Sequence, residues 1–204
     1  MAKDRSKIVK RSRRLGITLG KENYVRRRPY PPGIHGPKNV RRRPRLSSYG
    51  EQLLEKQKAK ALYGILERQF RGYYQKASKK TGNTAEVMLQ LLELRLDNII
   101  YRLGIAKTRR QARQIVNHGF IEVNGKRVDI PSFSARIGDE ISIKQSKTEK
   151  GIIKQGIENI KETQVPSWLA RDEKAITGKV TALPASEDIE QLFDSTLIVE
   201  FYSR

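Results

Sequence analysis

The sequence predicts an α+β chain: a helical first domain, then two short helices joined to a small antiparallel sheet, all preceded by an irregular basic N-terminal arm. Three observations carry this reading. Apolar residues recur at helical spacing through residues 53–92 and again through 96–116. Asn124-Gly125, lying between short β-rich runs, marks a hairpin, because its two-residue turn needs positive φ at both positions. Positive charge crowds into residues 1–45.

Composition sets the bounds. With 204 residues and 37% hydrophobic content, two small cores suit the chain better than one large one. The net charge is +20 and the isoelectric point about 10.3, an excess that repels itself unless a polyanion neutralises it. That polyanion is either nucleic acid or an acidic membrane surface. The longest apolar runs, such as 99–101 and 197–199, fall far short of the roughly 20 residues a bilayer span needs, so the chain reads as soluble with no membrane partner. Residues 1–10 are basic but no apolar stretch follows, so no secretory leader is expected. The absence of cysteine rules out disulfides and cysteine-held zinc.

Residues 1–45 hold sixteen Lys and Arg against Asp4 and Glu22, a net +14, and the rest of the chain carries only +6. The segment also contains Pro29, Pro31, Pro32, Gly33, Gly36 and Pro37, and offers little apolar surface to offset ordering entropy. It is expected to be an arm, solvated when the protein is alone and ordered against phosphates through Arg26, Arg27, Arg28, Arg41, Arg42, Arg43 and Arg45.

Residues 46–93 read as the helical domain. Ser48 and Glu51 are spaced as a capping box, Gly64 divides two helices, a turn at 79–82 follows, and Asn83 with Glu86 opens a short helix. Lys56, Lys58, Lys60, Arg68 and Arg71 on the polar faces are either ordinary solvated surface or RNA contacts, and the overall charge favours the latter for some of them, with Lys56, Lys58, Arg68 and Arg71 as the candidates.

Residues 94–183 read as a second domain with its core module at 94–150. Leu96, Ile99, Ile100 and Leu103 make one apolar helix face, stopped by Gly104. Thr108 and Gln111 then form a capping box, Ala112, Ile115 and Val116 face inward, and Gly119 ends the second helix. Arg109, Arg110 and Arg113 are placed on the opposite face near the positive end of the helix dipole, where they would repel one another without an anion. The hairpin around Asn124-Gly125 adds Lys126 at its tip, and a third strand is expected at 140–144. Lys107 assists this surface, and Arg95, Arg102, Thr108 and His118 complete the candidate set. A helix-turn-helix alone is weak evidence for nucleic-acid binding, but the sheet with basic residues at its tip makes it more telling.

Ile152, Ile153, Ile157 and Ile160 suggest a further helix that Gly151 and Gly156 weaken. Trp168 is assigned to packing rather than base stacking. The run LIVEFY over 197–202 has strand propensity.

Catalytic chemistry finds no support. Two histidines and scattered carboxylates make no metal site, and no glycine-rich phosphate loop followed by Lys-Ser or Lys-Thr occurs. No cofactor is implied. Asp97 is the most tempting acid, but between Arg95 and Arg102 it is better read as an ion-pair partner. His118 at a helix end is first of all a dipole partner.

The runs RLDNIIYRLG (95–104), TRRQARQIV (108–116), His118-Gly119, Val123 to Gly125 and Ile130 to Ser132 resemble the RNA-binding module of the family of small-subunit ribosomal protein four. SYGEQL (48–53), Glu55 to Lys58, Tyr63-Gly64, Leu66 to Phe70, Gly82 to Thr84, LIVEFYS (197–203), and Pro32-Gly33 with His35-Gly36 extend the resemblance over the whole chain. It implies the bacterial or organellar form of the family. It also implies a cytoplasmic or organellar ribosome location and early binding to a helix junction in the 5′ domain of 16S rRNA. Further implied partners are ribosomal protein five, messenger RNA where it enters the subunit and, in some members, the protein's own operon messenger RNA. The interface with ribosomal protein five would influence decoding accuracy. The resemblance further implies that residues 184–204 complete the helical domain, typically as helix. Many members hold zinc through cysteines in the arm, and that feature does not carry over to this cysteine-free chain. Two other readings stay open from the residues: an RNA-modifying enzyme or synthetase with this module as accessory, and a stress factor that binds ribosomal subunits.

Overall fold

The computed structural model describes residues 6–31, 33–37, 45–148, 150–160, 163–172, 176–185, 188–189 and 192–204. The chain divides into two compact units, one holding Met1–Ala85 with Gln191–Arg204 and the other Glu86–Glu190. Among the described residues no helix is long and apolar enough to cross a membrane.

The first unit is helical. Its basic segment is more regular than its composition suggests: α1 spans Ile8–Leu15 and α2 spans Glu22–Arg27. Leu15 and Ile17 are buried, the Ser12 hydroxyl accepts from the Leu19 amide at 3.2 Å, and Gly16 closes α1 at φ 70°. A few apolar anchors therefore order a stretch whose charge suggested only an arm. Arg41, Arg42 and Arg43 lie outside the described residues.

Helix α3 runs Ser48–Tyr63 and stops at Gly64, φ 63°, before α4 at Glu67–Ala77. The cap of α3 is Ser47, whose hydroxyl accepts from the Gly50 amide at 3.2 Å, one residue earlier than the capping box expected at Ser48. The C-terminal segment is helix α9, Ser195–Ser203, packed along α3, although its propensity suggested a strand. Two forces override that propensity. The Asp194 carboxylate caps the first turn by accepting from the Thr196 and Leu197 amides, and packing against α3 buries Ile198 completely. Aromatic contacts join α9 to both α3 and α4, with Tyr49 and Phe201 centroids 5.6 Å apart and Tyr74 of α4 stacked on Tyr202 at 4.9 Å.

A polar knot fastens α9 to α3 and α4. Glu67 accepts from Lys56 (3.1 Å), Lys60 (2.7 Å) and the Tyr202 hydroxyl (2.7 Å). Burial alone would raise the Glu67 carboxyl, but hydrogen bonds from Lys60, Tyr202 and Lys56 outweigh it and hold its pKa at about 2. Burial and the neighbouring Glu67 push the Tyr202 hydroxyl far up, so it stays a donor.

Helix α5, Thr84–Glu93, leads into the second unit, and its Ala85 amide donates to the Asn83 side chain at 3.0 Å. Helices α6 (Leu96–Arg102) and α7 (Arg109–Asn117) pack together over a five-stranded antiparallel sheet of order β2-β1-β3-β5-β4. The strands are β1 Ile121–Val123, β2 Lys126–Arg127, β3 Glu140–Ile143, β4 Leu169–Asp172 and β5 Thr177–Val180. Pairing of Ile121 with Ile143 and Val123 with Ile141 puts all four apolar side chains on one face. They join Leu96, Ile99, Ile100, Leu103, Ala112, Ile115, Val116, Trp168 and Val180 in one core. Full burial of each large apolar side chain is worth roughly 1.5–3 kcal/mol against exposure. Trp168 is buried, as packing requires.

The expected hairpin turn is present, with Asn124 at φ 49° and Gly125 at φ 72°. The Asn124 side chain ties it to the neighbouring turn, donating to Asp139 and accepting from the Glu140 amide, both at 2.9 Å. Strands β4 and β5 were not foreseen. Helix α8, Gly151–Ile160, buries Ile153 and Ile160, whereas the Ile157 side chain lies outside those described.

Gly156 shows why a glycine sits in α8: a Cβ there would lie 2.3 Å from the backbone oxygen of Ile105. Gly72 in α4 has open space instead. Gly72→Ala should therefore raise the unfolding free energy by about 0.5–1 kcal/mol, while Gly156→Ala, despite its better helix propensity, should lower it by about 1–3 kcal/mol. Urea unfolding of both variants checks the opposite signs. The Glu67 knot gives a pH dependence. A carboxyl held below its unfolded value near 4.5 adds stability that is complete above that pH and drains away as pH falls toward 2. Thermal melts between pH 6 and pH 2 should show this acid loss, and it should shrink in Glu67→Gln, which starts less stable at neutral pH.

Candidate nucleic-acid interface

The site is built around the junction of α5, α6 and α7. Arg95 occupies the cap position of α6 and cannot cap it with a carboxylate or hydroxyl, so the first amides of the helix find partners across the chain. Leu96 and Asp97 donate to the carbonyls of Phe133 and Pro131 at 2.9 and 3.2 Å. The Arg95 guanidinium grips Asp97 with two bonds, Nε to Oδ1 at 3.0 Å and Nη2 to Oδ2 at 2.6 Å. Both side chains are inside, at 1% and 4% exposure, and Arg113 joins them at 6%. Burial pushes the Asp97 carboxyl up, against the pull of Arg95 and Arg113.

A second buried network lies alongside. Glu93 accepts from Arg102 Nε at 3.1 Å and Nη2 at 3.2 Å, and from the Asn98 amide at 2.7 Å. Asn98 Oδ1 in turn accepts from Arg109 Nε at 2.9 Å, and the Arg109 guanidinium lies over the Tyr101 ring, 4.4 Å from its centroid. Asp97 is thus the ion-pair partner expected of it, with Arg95, and the nearby charge of Arg113 also acts on it. Arg102 pairs with Glu93 instead.

These networks correct the sequence reading in three places. Arg113 was placed on the outer face of α7, yet it stands three residues before Val116 and therefore borders the inward stripe, where Asp97 offers it a partner. Arg95, expected at the RNA face, is consumed by the same cluster. Lys56, also expected to touch RNA, is buried against Glu67 with its ammonium 4.0 Å from the Phe201 ring centroid. All three side chains are buried within their own unit.

What remains outside is a defined set. The Thr108 hydroxyl caps α7 by accepting from the Gln111 amide at 3.2 Å, and Gln111 accepts from the Lys107 amide at 3.0 Å. This local geometry, worth about 1 kcal/mol, fixes Lys107, Thr108, Arg109 and Arg110 at the N-terminal end of the helix. At the other end, about 14 Å along the axis, exposed His118 sets its ring edge-on to Phe120 at 5.9 Å. The hairpin brings Lys126 and Arg127 there, both exposed. Arg127 is a cation that the candidate set lacked. Its guanidinium lies so close over Gly119 that a Cβ at that glycine would meet it at 2.3 Å. Lys147 is a second, 5.8 Å from the Phe120 ring centroid. The signal for Arg127 was its place beside Lys126 near the tip of the hairpin; for Lys147 there was none.

In the first unit Arg27, Arg28, Arg45, Arg68 and Arg71 are exposed, Arg26 pairs with Glu22 at 2.5 Å, and Lys58 pairs with Glu55 at 2.6 Å. Among the described residues no group of three or more side chains is arranged to hold a metal ion.

Comparison with known proteins places this geometry. Residues 3–93 match the family model described as the ribosomal protein S4/S9 N-terminal domain, and residues 94–141 match the S4 domain, an RNA-binding module. The chain is 47% identical to the small ribosomal subunit protein uS4 of Thermus thermophilus over 97% of both chains. Against the uS4 proteins of Roseiflexus sp. and Chloroflexus aurantiacus it is 45% and 47% identical over the full length of each. With this likeness running end to end, the chain belongs to the uS4 family of small ribosomal subunit proteins, structural components rather than enzymes.

Proposed function

We propose that this protein is a primary 16S rRNA-binding protein that nucleates small-subunit assembly at a helix junction of the 5′ domain. The observation that carries the proposal is the arrangement in the S4 domain. Exposed cations stand at both ends of α7, while the neighbouring cations Arg95 and Arg113 are buried as structural parts. A surface with positive charge at two ends of a short rigid helix suits phosphates on a folded RNA and carries little base readout, so recognition is by shape. The candidate contacts are Lys107, Thr108, Arg109, Arg110, His118, Lys126 and Arg127, assisted by Arg26, Arg27, Arg28, Arg45, Arg68 and Arg71 and by Arg41, Arg42 and Arg43 of the basic segment. Lys58 and Arg102, paired with acids and only 20% and 12% exposed, are secondary, whereas Arg26 and Arg127 make their ion pairs at the exposed surface.

Family likeness supports the finer parts of the reading. In it, residues 1–45 act as the RNA-facing arm, 46–93 with 184–204 as the helical domain and 94–183 as the RNA-binding domain. Ribosomal protein five and messenger RNA at its point of entrance to the subunit are the neighbouring partners, the contact with ribosomal protein five tunes decoding accuracy, and the operon's own messenger RNA is a second ligand. The working place is the ribosome of a bacterium or organelle.

Filter binding to the isolated 5′ domain of 16S rRNA, against a scrambled RNA of equal length across a salt series, tests the core of this proposal. A preference of about 100-fold or more at physiological salt is expected, within the range that separates specific from nonspecific binding. Equal affinity for both RNAs would reduce the +20 charge to nonspecific attraction. Lys107→Glu combined with Lys126→Glu should lower affinity for the 5′ domain and flatten the dependence of log K on log salt by about two, with the fold intact by circular dichroism. An unchanged slope would remove both residues from the interface.

A further inference from the structure

Arg109, half-buried at the N-terminal end of α7, does not stand on its own. Asn98 is 2% exposed, and its amide nitrogen donates both hydrogens to Glu93, one to the backbone oxygen at 3.0 Å and one to carboxylate Oε2 at 2.7 Å. A flipped amide would set its oxygen against those two acceptors, so Oδ1 can point only the other way. There it accepts from Arg109 Nε at 2.9 Å, while the Tyr101 ring supports the guanidinium face at 4.4 Å. Glu93 is itself fully buried and held by two bonds from Arg102.

We propose that Asn98, oriented by Glu93, is a positioning residue for RNA binding that holds the Arg109 guanidinium on Tyr101 in the pose in which it meets a phosphate. The inference rests on the RNA surface proposed above and assigns a role to residues that do not touch RNA. The chemistry favours an amide at position 98. A neutral acceptor fixes Arg109 without adding a negative charge beside it, whereas a carboxylate would both oppose Glu93 and offset the charge that attracts RNA. An arginine side chain free to rotate surrenders rotamer entropy when it is fixed, and a prearranged one surrenders less. The buried network does part of that ordering before RNA arrives.

The test is a double-mutant cycle on affinity of the full chain for the 5′ domain of 16S rRNA, with urea unfolding measured on each variant. Asn98→Ala should weaken binding about fivefold to tenfold when Arg109 is present and leave it unchanged when Arg109→Ala is already made. Tyr101→Leu, at a half-buried position, should follow the same pattern and carries the cycle if Asn98→Ala does not fold. An equal loss in both backgrounds would make Asn98 a general stabiliser and overturn the inference while leaving the RNA surface standing. Wild-type affinity in Arg109→Ala would take Arg109 off that surface and overturn both its positioning and its assignment as a contact.

Discussion

A carboxylate taken out of water must be met by positive charge, and the S4 domain of this chain is organised around that requirement at Asp97. The residue sits at 4% exposure in the first turn of α6, gripped by Arg95 and under the charge of Arg113 from α7. Removing one partner from a buried pair of this sort costs about 3–5 kcal/mol, a large part of the stability of a small domain. The cluster therefore fixes α6 against α7, the direction from which the chain enters α6, and the loop at 131–135 whose carbonyls receive the first amides of that helix. The Glu93 network repeats the logic one turn further on. The RNA surface proposed for this domain hangs on these two anchors: the capped start of α7 with its cations, and the hairpin that follows its end.

The consequence is a division of labour among residues that look alike in the sequence. Five arginines between positions 95 and 113 share a positive charge, yet Arg95 and Arg113 are inside, Arg102 is held by Glu93, and Arg109 and Arg110 lie at the half-exposed start of α7. In the first unit Lys56 departs from Arg68 and Arg71 in the same way, because Glu67 and the rings of α9 enclose it. Net charge identifies the partner as a polyanion, but acidic neighbours decide which cations reach it.

Much of the second unit was legible because its signals are local. Gly104 and Gly119, the Thr108 cap and the Asn124-Gly125 turn each act through their own backbone torsions or a neighbour three residues away. What escaped the sequence depends on distant partners. Strand β5 contains Gly178, which reads as a turn residue but lies beneath Leu103, where a Cβ would fall 2.4 Å from that side chain. β4 exists only as the partner of β5. Helix α9 has the composition of a strand and needs both the Asp194 cap and the face of α3 to be helical. Arg113 was misplaced because a strictly two-faced picture of α7 ignores residues on the border of the inward stripe, where a buried acid on the next helix can recruit them.

The division between structural and RNA-facing cations is the central claim, and a matched pair of neutral substitutions on one helix tests it most directly. Arg113→Gln and Arg110→Gln would each be measured for unfolding free energy in urea and for the salt dependence of 16S 5′-domain binding. Arg113→Gln should lose about 2 kcal/mol or more of stability, less than an isolated buried pair because Arg95 remains. While folded, it should keep the wild-type salt slope. Arg110→Gln should keep its stability within about 0.5 kcal/mol and flatten the slope by about one. The reverse pattern, with Arg113 changing the slope and Arg110 the stability, would contradict the account.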